Sequence, residues 1–358
     1  MLANELTDLL QIDYPIIQAP MAGGISTTKL VSSVSNHGGL GMIGAGYLNP
    51  PQTREQIREV RQSTGNNFGV NLFVPTSFQR SDEKVRLAND LLGPIHDLLE
   101  IEKNEISSPT NESLVESFNA QVAVVIEEKV PTCSFTFGIP SIEIIDTLKK
   151  HNIIVIGTAT TVKEAMEIEK AGMDMVVVQG SEAGGHRGTF INGYHESLVG
   201  LMSLIPQVVD NVKIPVIAAG GIMDGRGLMA SLCLGAKGVQ MGTAFLTCVE
   251  SGAHEMHKDA ILHSTEDQTV LTRAFSGKWA RGIKNKFIAD LQEHETSFPD
   301  FPIQNSLTKD IRKAASVQNN PEFMSLWSGQ SLRLAKKQTV ETLMKKMIDE
   351  AAKIMNNF

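Results

Sequence analysis

His186 lies inside Gly180-Ser-Glu-Ala-Gly-Gly-His-Arg-Gly188, where four glycines surround one imidazole. Imidazole exchanges protons near neutral pH, and glycine lets a ligand approach the backbone closely. This pairing suits proton transfer to or from a bound molecule. The competing reading is a loop histidine held by a structural hydrogen bond. Glu182 reads as a partner behind the histidine or a plain loop anion, and Arg187 as a contact for a substrate anion or a neighbouring carboxylate.

A second chemistry is suggested by Gly220-Gly221 and Gly242-Thr243, each directly after a short apolar run. Two glycine loops side by side at the end of a parallel sheet can aim backbone N–H groups at a phosphate, and Thr243 adds a hydroxyl. The alternative is two tight turns without a ligand. Asn71 and Gln179 each end an apolar run. A rim amide both donates and accepts, which suits the polar edge of a flavin ring or the capping of a loop backbone. Met21-Ala-Gly-Gly24 occupies the same kind of position after the first run.

Other candidates carry less. His37, His151, His195, His254 and His257 form no metal-ligand constellation and read as surface histidines. His254-Glu-Met-His257 lacks the His-Glu-x-x-His spacing of zinc proteases. No metal site is expected. Gly39-Leu-Gly-Met-Ile-Gly44 runs into a strand rather than from strand to helix, which argues against a dinucleotide fingerprint. Cys133, Cys233 and Cys248 are far apart in apolar surroundings and read as buried free thiols.

The elements that must position these residues alternate regularly. Apolar runs at 14–19, 39–44, 68–73, 133–137, 152–156, 174–178, 215–219 and 238–241 are separated by helical stretches. Among these, 26–36, 53–61, 141–150, 161–170, 203–211 and 224–234 read as helices. Continuous apolar runs fit parallel strands buried on both faces. Eight of them with crossover helices predict an α/β fold, a (β/α)8 TIM barrel, with the site at the C-terminal strand ends. Residues 80–129 interrupt the rhythm and predict a helical insertion above the barrel mouth, with 114–128 as a crossover helix starting near 110–113. Residues 250–358 predict a C-terminal helical extension packed on the barrel. Its apolar positions Val340, Leu343, Met344 and Met347 form a packing stripe. The whole of 1–358 reads as a single domain.

The net charge of −8 disfavours a polyanionic partner, and there is no zinc finger or basic tract. Nucleic-acid binding is not expected. Neither a signal-peptide pattern nor a membrane-spanning apolar run is present, so a cytoplasmic location without a membrane partner is expected.

Taken together, Gln18-Ala-Pro-Met-Ala-Gly-Gly24, Gly69-Val-Asn-Leu-Phe73, Val178 to Gly188, Ala218-Ala-Gly-Gly-Ile222, Gln240-Met-Gly-Thr243, Arg273-Ala-Phe-Ser-Gly277 and Ala280-Arg-Gly282 resemble the nitronate monooxygenases, formerly 2-nitropropane dioxygenases. The resemblance covers roughly residues 14–287. It implies non-covalent FMN in a single FMN-binding domain. Met21, Asn71, Gln179 and Gly184 would lie at the flavin. Gly220, Gly221, Gln240, Met241, Gly242 and Thr243 would hold its phosphate side. His186 matches the family's catalytic base. The implied reaction oxidises alkyl nitronates, in some members also neutral nitroalkanes, with molecular oxygen to carbonyl compounds and nitrite. Propionate 3-nitronate is the implied physiological substrate. Flavin-dependent enoyl-acyl-carrier-protein reductases share the barrel, FMN and a similar Glu-Ala-Gly-Gly-His signature. Val178-Gln-Gly180 and the long C-terminal region fit the monooxygenases better. A non-enzymatic flavin-binding protein is a reading of another class. A histidine placed to meet substrate argues against it. Oligomeric state is not legible.

Overall fold

The computed structural model describes residues 2–102 and 109–357. Eight parallel strands form the central sheet: β1 (Ile16–Gln18), β2 (Gly41–Gly44), β3 (Phe68–Phe73), β4 (Thr132–Thr136), β5 (Ile154–Ala159), β6 (Met175–Gln179), β7 (Val216–Ala219) and β8 (Gly238–Met241). Their order is β1-β8-β7-β6-β5-β4-β3-β2. A parallel bridge between Ile17 and Leu40 brings β1 back beside β2, so the sheet curls into a nearly closed (β/α)8 barrel. All eight expected runs become strands.

The expected helices also form, with ends shifted by a few residues. Their starts have local causes. Asn49 and Thr110 each make a reciprocal capping box, the first with Pro50 and Pro51 in the opening turn. Ser141, Thr161 and Asp224 cap through side-chain oxygens. The insertion holds helices Asp82–Leu98 and Asn111–Glu127; residues 103–108 of the expected 80–129 segment lie outside the described residues, as do residues 1 and 358. The second helix is the β3-to-β4 crossover. Gln121 Nε2 locks it to the β2 loop by donating to the carbonyls of Ala45 and Leu48 at 3.0 and 2.8 Å.

The core is layered. Ile17, Met42, Met175 and Ile217 pack inside the barrel, and Leu6 and Leu10 of the first helix (Glu5–Leu10) join them. A larger cluster lies between barrel and helices. It includes Val340, Leu343, Met344 and Met347 of the last helix, Val340–Asn357, as the packing stripe predicts. A third cluster joins Ala88, Leu92 and Ile95 of the insertion to Phe275, Phe287 and Phe298 of the extension. The two additions to the barrel therefore pack on each other.

Three features differ from the sequence reading. His186 is in a two-residue strand, Gly185–His186, rather than a free loop. It pairs antiparallel with Ala280–Ile283, which pairs in turn with Thr269–Thr272. Two residues are too few to show periodicity. Cys233 is exposed, in the last turn of helix Gly225–Cys233. His257 is buried, with Nε2 3.0 Å from the Trp327 carbonyl.

Candidate active site

A pocket opens at the C-terminal ends of the strands. Met21, Asn71, Gln179, Gly184, His186, Gly220, Gly221, Gln240, Met241, Gly242 and Thr243 all border it. The barrel thus brings these eleven residues to one pocket.

The wall made by β7 and β8 is a backbone surface. Gly220 and Gly221 have φ of +130° and +67°, which a side chain rarely tolerates. Among the described residues, no protein acceptor takes the N–H of Gly221 or of Gly242. A Cβ added to Gly242 would meet only Ala19 within 4 Å. Thr243 Oγ1 accepts the Gly329 N–H at 3.0 Å, which leaves its own proton to donate. Unused donors around an open, side-chain-free recess fit a phosphate. Met241 contributes backbone only, since its side chain is buried in the cluster outside the barrel.

A segment of the extension completes this wall. Ser328, Gly329 and Ser331 border the pocket. Gln330 N–H donates to the Glu182 carbonyl at 3.0 Å, and Ser331 Oγ to the Gly221 carbonyl at 2.8 Å. Gly184 is required by this segment: a Cβ there would clash with the Ser328 carbonyl carbon. The sequence reading missed Ser328–Ser331. A Gly between small polar residues was the signal available.

On the opposite wall, Asn71 Nδ2 donates to Ser134 Oγ and Thr136 Oγ1 at 2.9 and 3.1 Å. The Asn71 carbonyl oxygen is left as an unused acceptor. Gln179 acts as the loop-capping alternative describes. Its Nε2 donates to the His186 carbonyl at 3.0 Å and its Oε1 accepts the Gly188 N–H at 2.8 Å. One N–H remains for a ligand. Arg187 does not border the pocket and, among the described residues, forms no ion pair with a carboxylate. It is fully buried and donates to the carbonyls of Gly180, Gln179 and Ser197. Glu182 accepts the Leu201 N–H with both oxygens, at 2.9 and 3.0 Å.

His186 stands in an aromatic chamber the sequence did not disclose. Phe137, Phe301 and Trp327 have ring centroids 6.0, 6.4 and 5.5 Å from the imidazole. Phe137 holds an unusual φ of +76°, and its ring also lies 4.6 Å from that of Phe73. A bulky residue in this region is held there by its surroundings, and such residues gather at functional sites. Lys278 Nζ sits 4.4 Å above the Phe137 ring. Burial, reinforced by the charges of Lys278 and Arg312, pushes the His186 pKa down to about 3. Burial likewise lowers the Lys278 ammonium to about 8. The imidazole is therefore neutral at physiological pH.

The nitronate monooxygenase family model matches residues 3–350. The chain belongs to the nitronate monooxygenase family. It is 52% identical over 353 residues to a probable nitronate monooxygenase of Staphylococcus aureus (strain Newman), covering 98% of each chain. Its structure is similar to that of a nitroalkane oxidase from Streptomyces ansochromogenes, with TM-score 0.90 and 38% identity over 98% of this chain and 99% of that one. FabK from Thermotoga maritima is also similar, with TM-score 0.79 and 33% identity over 99% and 98%. As a member of this family the chain is an oxidoreductase. Among the described residues, no helix is long and apolar enough to cross a membrane, and no group of three or more His, Cys, Asp or Glu is arranged to hold a metal ion.

Proposed function

We propose that this protein binds FMN non-covalently as one cofactor-binding unit and oxidises alkyl nitronates with molecular oxygen to carbonyl compounds and nitrite. Propionate 3-nitronate is the proposed physiological substrate. The observation that carries the reading is a single pocket with unused N–H donors at Gly221 and Gly242 on one side and His186 in an aromatic chamber on the other. Family membership supports the same reading.

In this proposal Gly220, Gly221, Gly242 and Thr243, with Ser331 behind them, take the cofactor's phosphate. Asn71 offers its unused carbonyl oxygen and Gln179 its remaining N–H to the polar ring edge. Met21 and Gly184 border the same space, and Gln240 and Met241 close the β8 side. When bound, FMN supplies electron exchange between a carbon substrate and oxygen. Phe137, Phe301 and Trp327 limit water around His186. Neutral His186 removes the α-proton of a nitroalkane, a step that a preformed nitronate does not need.

The test is aerobic turnover of holoprotein with propionate 3-nitronate, following nitrite and oxygen together, without nicotinamide. Coupled nitrite release and oxygen uptake is the expected result. Rapid NADPH-dependent reduction of an enoyl thioester, with no nitrite from nitronates, would instead assign an enoyl reductase. Bound FMN with no turnover of any substrate would leave a flavin-binding protein.

A further inference from the structure

The two nitrogens of His186 are in different situations. Nε2 lies 2.8 Å from Ser276 Oγ, while Nδ1 has no hydrogen-bond partner among the described residues. The Ser276 hydroxyl has other neighbours too. Its Oγ lies 3.0 Å from the Lys278 carbonyl oxygen and accepts the Lys278 N–H at 3.3 Å.

A hydroxyl has one proton to donate and two lone pairs. If it donates to His186, the Lys278 carbonyl has no donor and the hydroxyl must accept from one neighbour only. If it donates to the Lys278 carbonyl, it accepts from both Lys278 N–H and His186 Nε2–H, and all four groups are satisfied. Partly buried polar groups favour the second arrangement. The tautomer follows from this count.

The positions of both residues are fixed by backbone. His186 pairs with Ala280 in the three-stranded sheet. Ser276 is in the turn between Thr269–Thr272 and Ala280–Ile283 of that sheet. The Gly277 N–H closes the turn on the Arg273 carbonyl at 2.7 Å. One small sheet therefore presents both the imidazole and the hydroxyl that orients it.

We propose that Ser276 is a positioning residue that holds His186 as the Nε2–H tautomer, so that Nδ1 is the atom that accepts the α-proton of a neutral nitroalkane. The claim deepens the proposed function and rests on that reading of the pocket. The α-C–H bond breaks, its electron pair stays on the substrate as the nitronate, and the proton forms a bond to Nδ1. The resulting imidazolium keeps its Nε2–H on Ser276, so no further proton has to move.

The test combines two measurements on holoenzyme. Long-range 1H–15N correlation on 15N-histidine-labelled protein reads the tautomer, with His186 signals assigned by their loss in His186→Asn. Wild type should show Nε2–H, Ser276→Thr should keep it, and Ser276→Ala should show a mixture. In parallel, Ser276→Ala should lower kcat/KM for a neutral nitroalkane about tenfold, the order expected for one lost orienting hydrogen bond, with less than about twofold change for the matching nitronate. Ser276→Thr should restore most of it. Nδ1–H in the wild type, or Ser276→Ala with unchanged tautomer and turnover, overturns the proposal. Equal losses on both substrates also overturn it, since they report a structural role. If the wild type turns over neither substrate, the Nδ1 role fails with the reading of the site, whereas the tautomer still stands or falls on the spectrum alone.

Discussion

Thr243, two residues past β8, accepts the backbone N–H of Gly329, eighty-six residues further along the chain, at 3.0 Å. The contact ties the barrel's last loop to the extension and leaves the Thr243 proton directed elsewhere. Thr243→Val should remove the acceptor and strand a partly buried N–H, a cost of about 1–3 kcal/mol. FMN binding should weaken at least about fivefold, read by flavin fluorescence during titration of apoprotein, whereas Thr243→Ser should bind nearly as wild type. Unchanged affinity in Thr243→Val would remove this contact from the phosphate wall.

Gly242 and Gly221 separate space from backbone strain. A methyl at Gly242 enters a recess where only Ala19 Cβ, at 3.8 Å, is near. Gly242→Ala should therefore melt close to wild type in the apo form yet bind FMN more weakly. Gly221→Val should lose both properties, because φ is +67° and its Cβ would press on Glu182 Cβ at 3.3 Å. Comparing apo melting temperature with FMN affinity for the two variants checks this. Full FMN affinity in folded Gly242→Ala would place the phosphate elsewhere.

The barrel and most of the pocket rim were legible because continuous apolar runs and the residues just after them are local signals. Phe301, Trp327, Ser328, Gly329 and Ser331 were not, because they reach His186 or the pocket from the extension through long-range contacts that leave no periodic trace. Gln179 was half-legible: an amide after a strand suits a ligand edge or a loop, and only coordinates show that it holds both His186 and Gly188. Gln179→Leu should strand those two backbone groups and lower the melting temperature by a few degrees, at roughly 1–2 °C per kcal/mol for a chain of this length. It should also lower turnover with FMN occupancy restored by excess cofactor. A variant that melts and turns over like wild type would show that the loop holds itself.

His186→Asn distinguishes a base from a binding residue. Turnover of a neutral nitroalkane should fall about a hundredfold to ten-thousandfold, the usual contribution of a general base. Turnover of the corresponding nitronate, already deprotonated, should fall far less. Oxygen uptake on both forms, measured before they interconvert and with FMN occupancy matched, checks this in an enzyme with measurable nitroalkane activity. Equal losses would assign His186 to substrate placement.

Acid should destabilise the fold through buried histidines. Burial lowers His257 to about 4 and His186 to about 3, both below the ordinary value near 6.5. Between those limits the unfolded chain binds protons that the folded chain does not. Stability is therefore complete above about pH 6.5 and is lost as pH falls toward the folded values, by up to about 1.4 kcal/mol per pH unit for each histidine. His257 matters doubly, since its Nε2 lies 3.0 Å from the carbonyl of Trp327, whose ring stands beside His186. His257→Gln can still donate to that carbonyl but has no charge to suppress. Melting temperature should decline from pH 7 to pH 5 in the wild type and decline less steeply in His257→Gln, with apoprotein used so that cofactor loss does not enter. An identical acid slope in the two proteins would show that His257 is not among the groups whose protonation opens the fold.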